Sequence, residues 1–164
     1  MDISALVIDF SRVLIFANVD TESLNRHHAA LKPQPGYRVL EHFRLNTELL
    51  NYLRDLSQRV PIYLFSDGNL HTLPEIAPAL QGIFRATYRP EEFGYTKRQP
   101  EAYLALAYKL NYPPTSILFI DDSPANIAAA ASAGLTTYRY ETNAAVMAFL
   151  DRASKSRNMI NFPQ

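Results

Sequence analysis

The chain has no cysteine among its 164 residues. Disulfides and thiolate metal sites are thereby excluded, and a reducing, cytoplasmic setting is the expectation. An excess of charge is also missing. Lys+Arg and Asp+Glu each number 16, so the net charge is zero and no overall attraction to nucleic acid or to an anionic membrane is expected. No stretch approaches the roughly 20 apolar residues that cross a bilayer. The N-terminus, with Asp2 and a short apolar run, does not read as a signal peptide. Repeats and low-complexity tracts are absent; the alanines at 128–131 are a local run inside an expected helix.

What is present describes one ordinary globular domain over 1–164, 48% hydrophobic and 20% charged. Short apolar runs at 4–9, 61–66, 84–88, 116–121 and 135–140 read as buried strands. Helical patterns alternate with them. Residues 46–59 put Leu49, Leu50, Leu53 and Leu56 on one face behind Asn46 or Thr47 as N-cap. Residues 70–80 are interrupted by Pro74 and Pro78. Residues 100–110, 124–133 and 143–153 follow, with Gly134 as the stop after the second of these. This alternation predicts an α/β fold with a parallel sheet of about five strands and helices on both faces. Residues 16–45 form a small helical insert, with helical stretches at 22–30 and 37–43, and 155–164 are expected to fray.

Ligands of such sheets bind beyond the carboxyl ends of the strands. Asp9, Ser66 and Asp121 all fall there, so three strands deliver oxygen-bearing side chains to one edge. Asp9 can attack phosphorus if a cation neutralises the phosphate, or it can merely cap a turn. Asp121 and Asp122 are adjacent acids that repel without a cation, and hard oxygen donors suit Mg²⁺; Asp122 or Ser123 before Pro124 equally fits a helix N-cap. Asn126, one turn further, can orient a carboxylate or Lys97. Ser66 with the turn amides from Asp67 onward can hold phosphate oxygens, or form a plain strand-to-helix turn. Lys97, three residues before Pro100, can balance this negative charge; Arg98 is the alternative cation. His27 and His28 read as solvated insert positions or substrate contacts, Arg12 as a surface salt bridge or a substrate contact, and Tyr88, Tyr95, Tyr103 and Tyr108 as packing residues.

Together these residues resemble the haloacid dehalogenase superfamily. Its four motifs occur in order: Asp9 after Ala5-Leu6-Val7-Ile8; Ser66-Asp67-Gly68-Asn69; Lys97 before Pro100; and Phe119-Ile120-Asp121-Asp122-Ser123-Pro124-Ala125-Asn126, with Ala130 and Gly134 beyond. The last is similar to the paired-Asp form of a subgroup that includes sugar-phosphate phosphatases and the phosphatase domain of soluble epoxide hydrolase. The resemblance implies a Rossmann-like core with a reduced cap, and Mg²⁺-dependent hydrolysis of a phosphorylated small molecule or macromolecule, with room for an oligomer. It implies Asp9 as nucleophile and metal ligand, the Ser11 carbonyl as a further ligand, and Asp122 as a direct ligand with Asp121 close by. Ser66 and Asp67 would lie on the phosphate, and Lys97 on the aspartyl-phosphate.

One position departs from the pattern. Most phosphatases of the superfamily carry an acid/base Asp two residues after the nucleophile, and this chain has Ser11. General acid–base help is worth about 10²–10⁴-fold, and serine does not supply it at neutral pH. P-type ATPases also have a hydroxyl residue there, and their aspartyl-phosphate persists. The expectation is therefore a phosphatase that is slow, or a related protein that binds a phosphorylated ligand or a partner without turnover.

Overall fold

The computed structural model describes residues 3–158. Its centre is a five-stranded, all-parallel sheet made of β1 (Ala5–Ile8), β4 (Ile62–Phe65), β5 (Ala86–Tyr88), β6 (Ile117–Asp121) and β7 (Thr136–Arg139). The spatial order is β5-β4-β1-β6-β7. The chain thus winds outward from β1 on one side, then crosses over β1 to β6, which makes the crevice between β1 and β6 the switch point of the sheet.

The apolar runs do not alternate with polar residues because both faces of the sheet are covered. Leu6 and Ile8 of β1, with Leu118 and Ile120 of β6, pack towards α3 (Thr47–Leu56) and α7 (Asn143–Asn158) through Leu49, Leu53, Val146 and Leu150. Ala5, Val7, Ile117 and Phe119 point the other way, against α5 (Pro100–Leu110) and α6 (Pro124–Ser132), where Tyr103, Leu106 and Ala130 meet them. The period of two along each strand thus sorts neighbouring residues into two cores.

Helix boundaries follow local chemistry. Pro100 and Pro124 occupy first-turn positions. Ser123 caps α6 by accepting from the Asn126 amide at 3.4 Å, and Gly134, at φ +87°, ends it. Asn46, rather than Thr47, caps α3. The broken stretch 70–80 keeps only a 3₁₀ turn at Leu70–Thr72 and α4 (Ala77–Leu80), with Pro74 in the non-helical gap. Helix α7 extends to Asn158, past the expected end at 153; of the tail expected to fray, residues 159–164 lie outside those described. Tyr108 is not a packing residue: it is 90% exposed on α5.

The insert contains more than helix. A two-stranded antiparallel ladder, β2 (Ile15–Ala17) with β3 (Phe43–Leu45), closes its base. Between them lie α1 (Leu24–Leu31) and the short α2 (Val39–His42). The helix expected over 37–43 therefore shrinks to α2, and Phe43 turns into strand to pair with Ala17. Leu24, Val39 and Phe43 join the first core, so the insert is packed onto the sheet domain.

Asn46 ties three parts of the molecule together. Its Nδ2 donates to the Val13 carbonyl at 2.8 Å and to Asn143 Oδ1 at 2.8 Å, while its Oδ1 accepts from the Leu49 amide at 3.3 Å. Truncation removes a helix cap and leaves buried partners unpaired. Asn46→Ala is expected to destabilise the fold by about 2 kcal/mol, read as a lower urea midpoint with an unchanged slope; a change under about 0.5 kcal/mol contradicts the bridging role.

Candidate active site

The register of β1 on β6 pairs Ile8 with Ile120, so one further step brings Asp9 beside Asp121. The Asp9 amide continues the ladder by donating to the Ile120 carbonyl at 2.9 Å. By strand parity both carboxylates face the α5 side of the sheet, the same side as Phe119. Ser66 follows β4, and its amide donates to the Tyr88 carbonyl at 3.1 Å. All three residues are buried, Asp9 at 5%, Ser66 at 2% and Asp121 at 0% exposure.

Lys97 enters from the loop before α5. Its Nζ forms an ion pair with Asp9 Oδ1 and lies 3.3 Å from Asp121 Oδ2, with only 3% of the residue exposed. The ammonium also sits over the rings of Phe65 and Phe119, at 5.6 and 5.9 Å. Tyr103 supports this loop from α5: its hydroxyl donates to the Lys97 carbonyl at 2.8 Å, and its ring meets Phe119 edge-on at 5.0 Å. Packing was the expectation for Tyr103; its part in anchoring the lysine loop depends on a contact across six residues that spacing alone does not reveal. Arg98, the alternative cation, is exposed.

Asp121 is held from several directions. Its Oδ1 accepts from the Ser123 amide at 2.8 Å, and its Oδ2 accepts from Asn126 Nδ2 at 3.0 Å as well as from Lys97. Asn126 thus orients a carboxylate. Asp122 is half-buried, and its carbonyl accepts from Arg139 Nε at 3.3 Å. Oxygens of Asp9, Asp121 and Asp122 all lie within 4.8 Å of one another. Asp67 is exposed at the lip of the site, and the Gly68 amide donates to Ser66 Oγ at 3.4 Å. Ser11 is half-buried in the turn after Asp9, and its carbonyl takes no backbone hydrogen bond among the described residues.

The electrostatics are those of an overcrowded acidic site. Burial pushes the Asp9 carboxyl up to about 7, against the pull of Lys97 and with a further push from Asp121. Burial by itself would depress Lys97, but Asp9, then Asp121 and Asp67, outweigh it and hold the ammonium above its usual value. Asp122 is also raised, by burial first and by Asp121 second. Lys97 pairs with Asp9 and Asp121, Asp122 lies beside them, and the donors of all three acids are hard oxygens, a set that fits Mg²⁺ and offers nothing to a softer metal.

Arg12 makes no ion pair among the described residues, although its charge favours the ionised form of Asp122. With φ at +59°, it turns its guanidinium to the insert, donating to the carbonyls of Thr21 and Glu22, the latter at 2.8 Å. His28 Nδ1 is engaged with the Tyr37 hydroxyl at 2.8 Å, and the His27 ring packs on Phe43 at 5.5 Å. Asn25 of α1 is the residue that sequence reasoning missed: its side chain lies directly against Gly68.

Acids and a lysine converge on the switch point of a parallel sheet, and comparison with known proteins says which family shares this arrangement of elements. The chain matches the family model for haloacid dehalogenase-like hydrolases over residues 13–134 and belongs to that family. The matched span takes in Ser66, Lys97, Asp121 and Asp122, and begins after Asp9 and Ser11. Among curated proteins, enolase-phosphatase E1 of Methylococcus capsulatus is 37% identical over 86 residues, which is 49% of this chain and 37% of that protein. The protein of the same name in Caenorhabditis elegans is 30% identical over 88 residues, 49% of this chain and 34% of its own length. The chain therefore spans little more than a third of these relatives. Among solved structures, a haloacid dehalogenase family enzyme from Bacteroides thetaiotaomicron, in complex with magnesium and inorganic phosphate, matches with a TM-score of 0.64 at 20% identity, over 86% of this chain and 96% of that one. A hydrolase from Streptococcus pneumoniae matches with a TM-score of 0.66 at 21% identity, over 92% of this chain and 100% of that one. These structures share the fold. No helix among the described residues is long and apolar enough to cross a membrane.

The raised Asp9 carboxyl has a consequence for the metal-free protein. A carboxyl that holds its proton more tightly folded than unfolded stabilises the fold fully below its ordinary value of 3.8, and that stability is lost as pH rises through about 7. The melting temperature in EDTA is therefore expected to fall between about pH 4 and pH 7 through this group and to level off above that. Asp9→Asn is expected to flatten the fall and to melt at least about 2 °C higher than wild type at pH 8. Scanning fluorimetry reads both curves; parallel curves would show that Asp9 ionises without cost.

Proposed function

We propose that the protein is a Mg²⁺-dependent phosphoric monoester hydrolase that works through an aspartyl-phosphate on Asp9. The observation that supports this most directly is the Lys97 ammonium shared between Asp9 and Asp121 at the switch point, with an Asp122 oxygen within 4.8 Å of theirs. Asp9, Asp121, Asp122 and the free carbonyl of Ser11 are the residues that would hold Mg²⁺. The ion supplies the positive charge that lets an anionic carboxylate approach an anionic phosphate. The names of the curated relatives point to phosphatase chemistry as well, and the magnesium and phosphate of the Bacteroides enzyme point to the same ligands.

In the first half-reaction an Asp9 oxygen bonds to phosphorus as the bond from phosphorus to the ester oxygen breaks. The departing alkoxide takes its proton from solvent, because the Ser11 hydroxyl is a poor acid. Lys97 and Ser66, with the amides of the turn at Asp67, neutralise and orient the phosphoryl oxygens. In the second half-reaction water attacks phosphorus, Asp9 leaves as carboxylate, and inorganic phosphate departs with the water oxygen, its surplus proton passing to solvent. Asn126 keeps Asp121 in place throughout. Residues 16–45 act as a reduced cap on one domain, the substrate is a phosphorylated molecule rather than nucleic acid, and the lack of cysteine favours the cytoplasm.

Ser11 favours a second reading, in which the phospho-enzyme forms but breaks down slowly, or the site binds a phosphorylated ligand without turnover. A rapid time course with p-nitrophenyl phosphate separates these, because its leaving group needs little acid help. The expected result is Mg²⁺-dependent release that is abolished in Asp9→Asn. Ser11→Asp is expected to raise steady-state hydrolysis by at least about tenfold. A burst of one equivalent followed by silence supports the persistent phospho-enzyme; no release at all, with or without Mg²⁺, overturns the hydrolase reading.

A further inference from the structure

The N-terminal end of α1 is fastened to the turn that follows Asp9 and lies against the loop that follows Ser66. On the first side, Arg12 donates to the carbonyls of Thr21 and Glu22, just ahead of the helix. On the second, Asn25 lies flat on Gly68: a methyl carbon placed on that glycine would fall 2.1 Å from Asn25 Oδ1 and 2.4 Å from both Cγ and Nδ2. Ser23 caps the helix by accepting from the Arg26 amide at 3.3 Å, which fixes the first turn that carries Asn25. Residue 25 is therefore placed beside the loop that would grip a phosphate.

The Asn25 amide is half-buried and makes no hydrogen bond with any described residue. An amide offers both donors and an acceptor, and one held at the mouth of a site with all of them unused is equipped to read a polar group. Its surroundings narrow the choice. Asp67 stands on the same loop and Asp122 completes the acid cluster, while the nearby guanidiniums are already engaged, Arg12 with the carbonyls of Thr21 and Glu22 and Arg89 with Asn69 and Glu91, so a second anionic group on the substrate meets more repulsion than attraction. A neutral hydroxyl satisfies the amide without that penalty.

Resting on the phosphatase reading above, we propose that Asn25 is a specificity-determining residue that hydrogen-bonds a hydroxyl on the alcohol part of the substrate, next to the phosphate, and that the substrates are small hydroxylated phosphate monoesters. Gly68 is the complement of this arrangement, since any side chain there displaces the amide. A bulky aryl or macromolecular ester gains nothing from the contact.

The test compares kcat/KM for glycerol phosphate and n-propyl phosphate, which share a three-carbon chain and differ in hydroxyls. Wild type is expected to prefer glycerol phosphate by about tenfold or more, and Asn25→Ala and Asn25→Leu to lose most of that ratio, since a site built to pair a hydroxyl discriminates against its absence. Gly68→Ala is expected to erode the same ratio, and to erode it no further when Asn25 is already alanine. A wild type that hydrolyses p-nitrophenyl phosphate with Mg²⁺ but shows no preference between the two alkyl esters overturns the role of Asn25 and leaves the phosphatase reading standing. So does a preference that survives in both Asn25 variants. A wild type inert towards all three esters overturns both.

Discussion

The site depends on a single buried ammonium. Lys97 stands between Asp9 and Asp121 with almost no access to water, and among the described residues neither carboxylate pairs with another cation. Two like charges on adjacent strands of a low-dielectric sheet edge repel, and removing the lysine from such a buried cluster costs about 3–5 kcal/mol. The fold spends several elements on holding that lysine. Phe65 and Phe119 supply ring faces, Tyr103 ties the loop from α5, and Pro100 starts the helix that carries Tyr103. The strand register brings the acids together, and the lysine makes their proximity tolerable.

Tolerable is not optimal. Asp9 and Asp122 both have raised carboxyls, so the metal-free site stores electrostatic strain that a divalent cation would relieve. The family resemblance and the donor chemistry meet at this point. A scaffold with no ligand would gain nothing from three carboxylates in one crevice, whereas a site built for a phosphate and its metal needs that excess of negative charge before the ion arrives. Under the proposed function, stability and chemistry are opposed at Asp9.

Much of this was legible in the sequence, for identifiable reasons. Asp9, Ser66 and Asp121 could be placed at one edge because unalternating apolar runs mean a parallel sheet, and parallel sheets concentrate chemistry at their carboxyl ends. Pro100, Pro124 and Gly134 marked helix ends because their backbone constraints are local. The insert was harder. Ile15–Ala17 and Phe43–Leu45 are three-residue strands whose pairing spans nearly thirty residues, and nothing in so short a run distinguishes strand from turn or helix. Tyr108 looked like core because its helix is apolar on two sides; only the packing of α5 shows that it faces solvent. Arg12 and Asn25 were illegible for the same reason: their partners, Thr21, Glu22 and Gly68, are met through space.

The most direct test of the central claim is to catch the covalent intermediate. Wild-type protein mixed with Mg²⁺ and p-nitrophenyl phosphate is quenched in acid, where acyl phosphates survive, and digested for peptide mass mapping. The account predicts a phosphate adduct on the peptide that begins the chain, localised to Asp9 and absent when Mg²⁺ is withheld. Hydrolysis that proceeds with Asp9 unmodified at every quench time, or with the adduct on another residue, would contradict it.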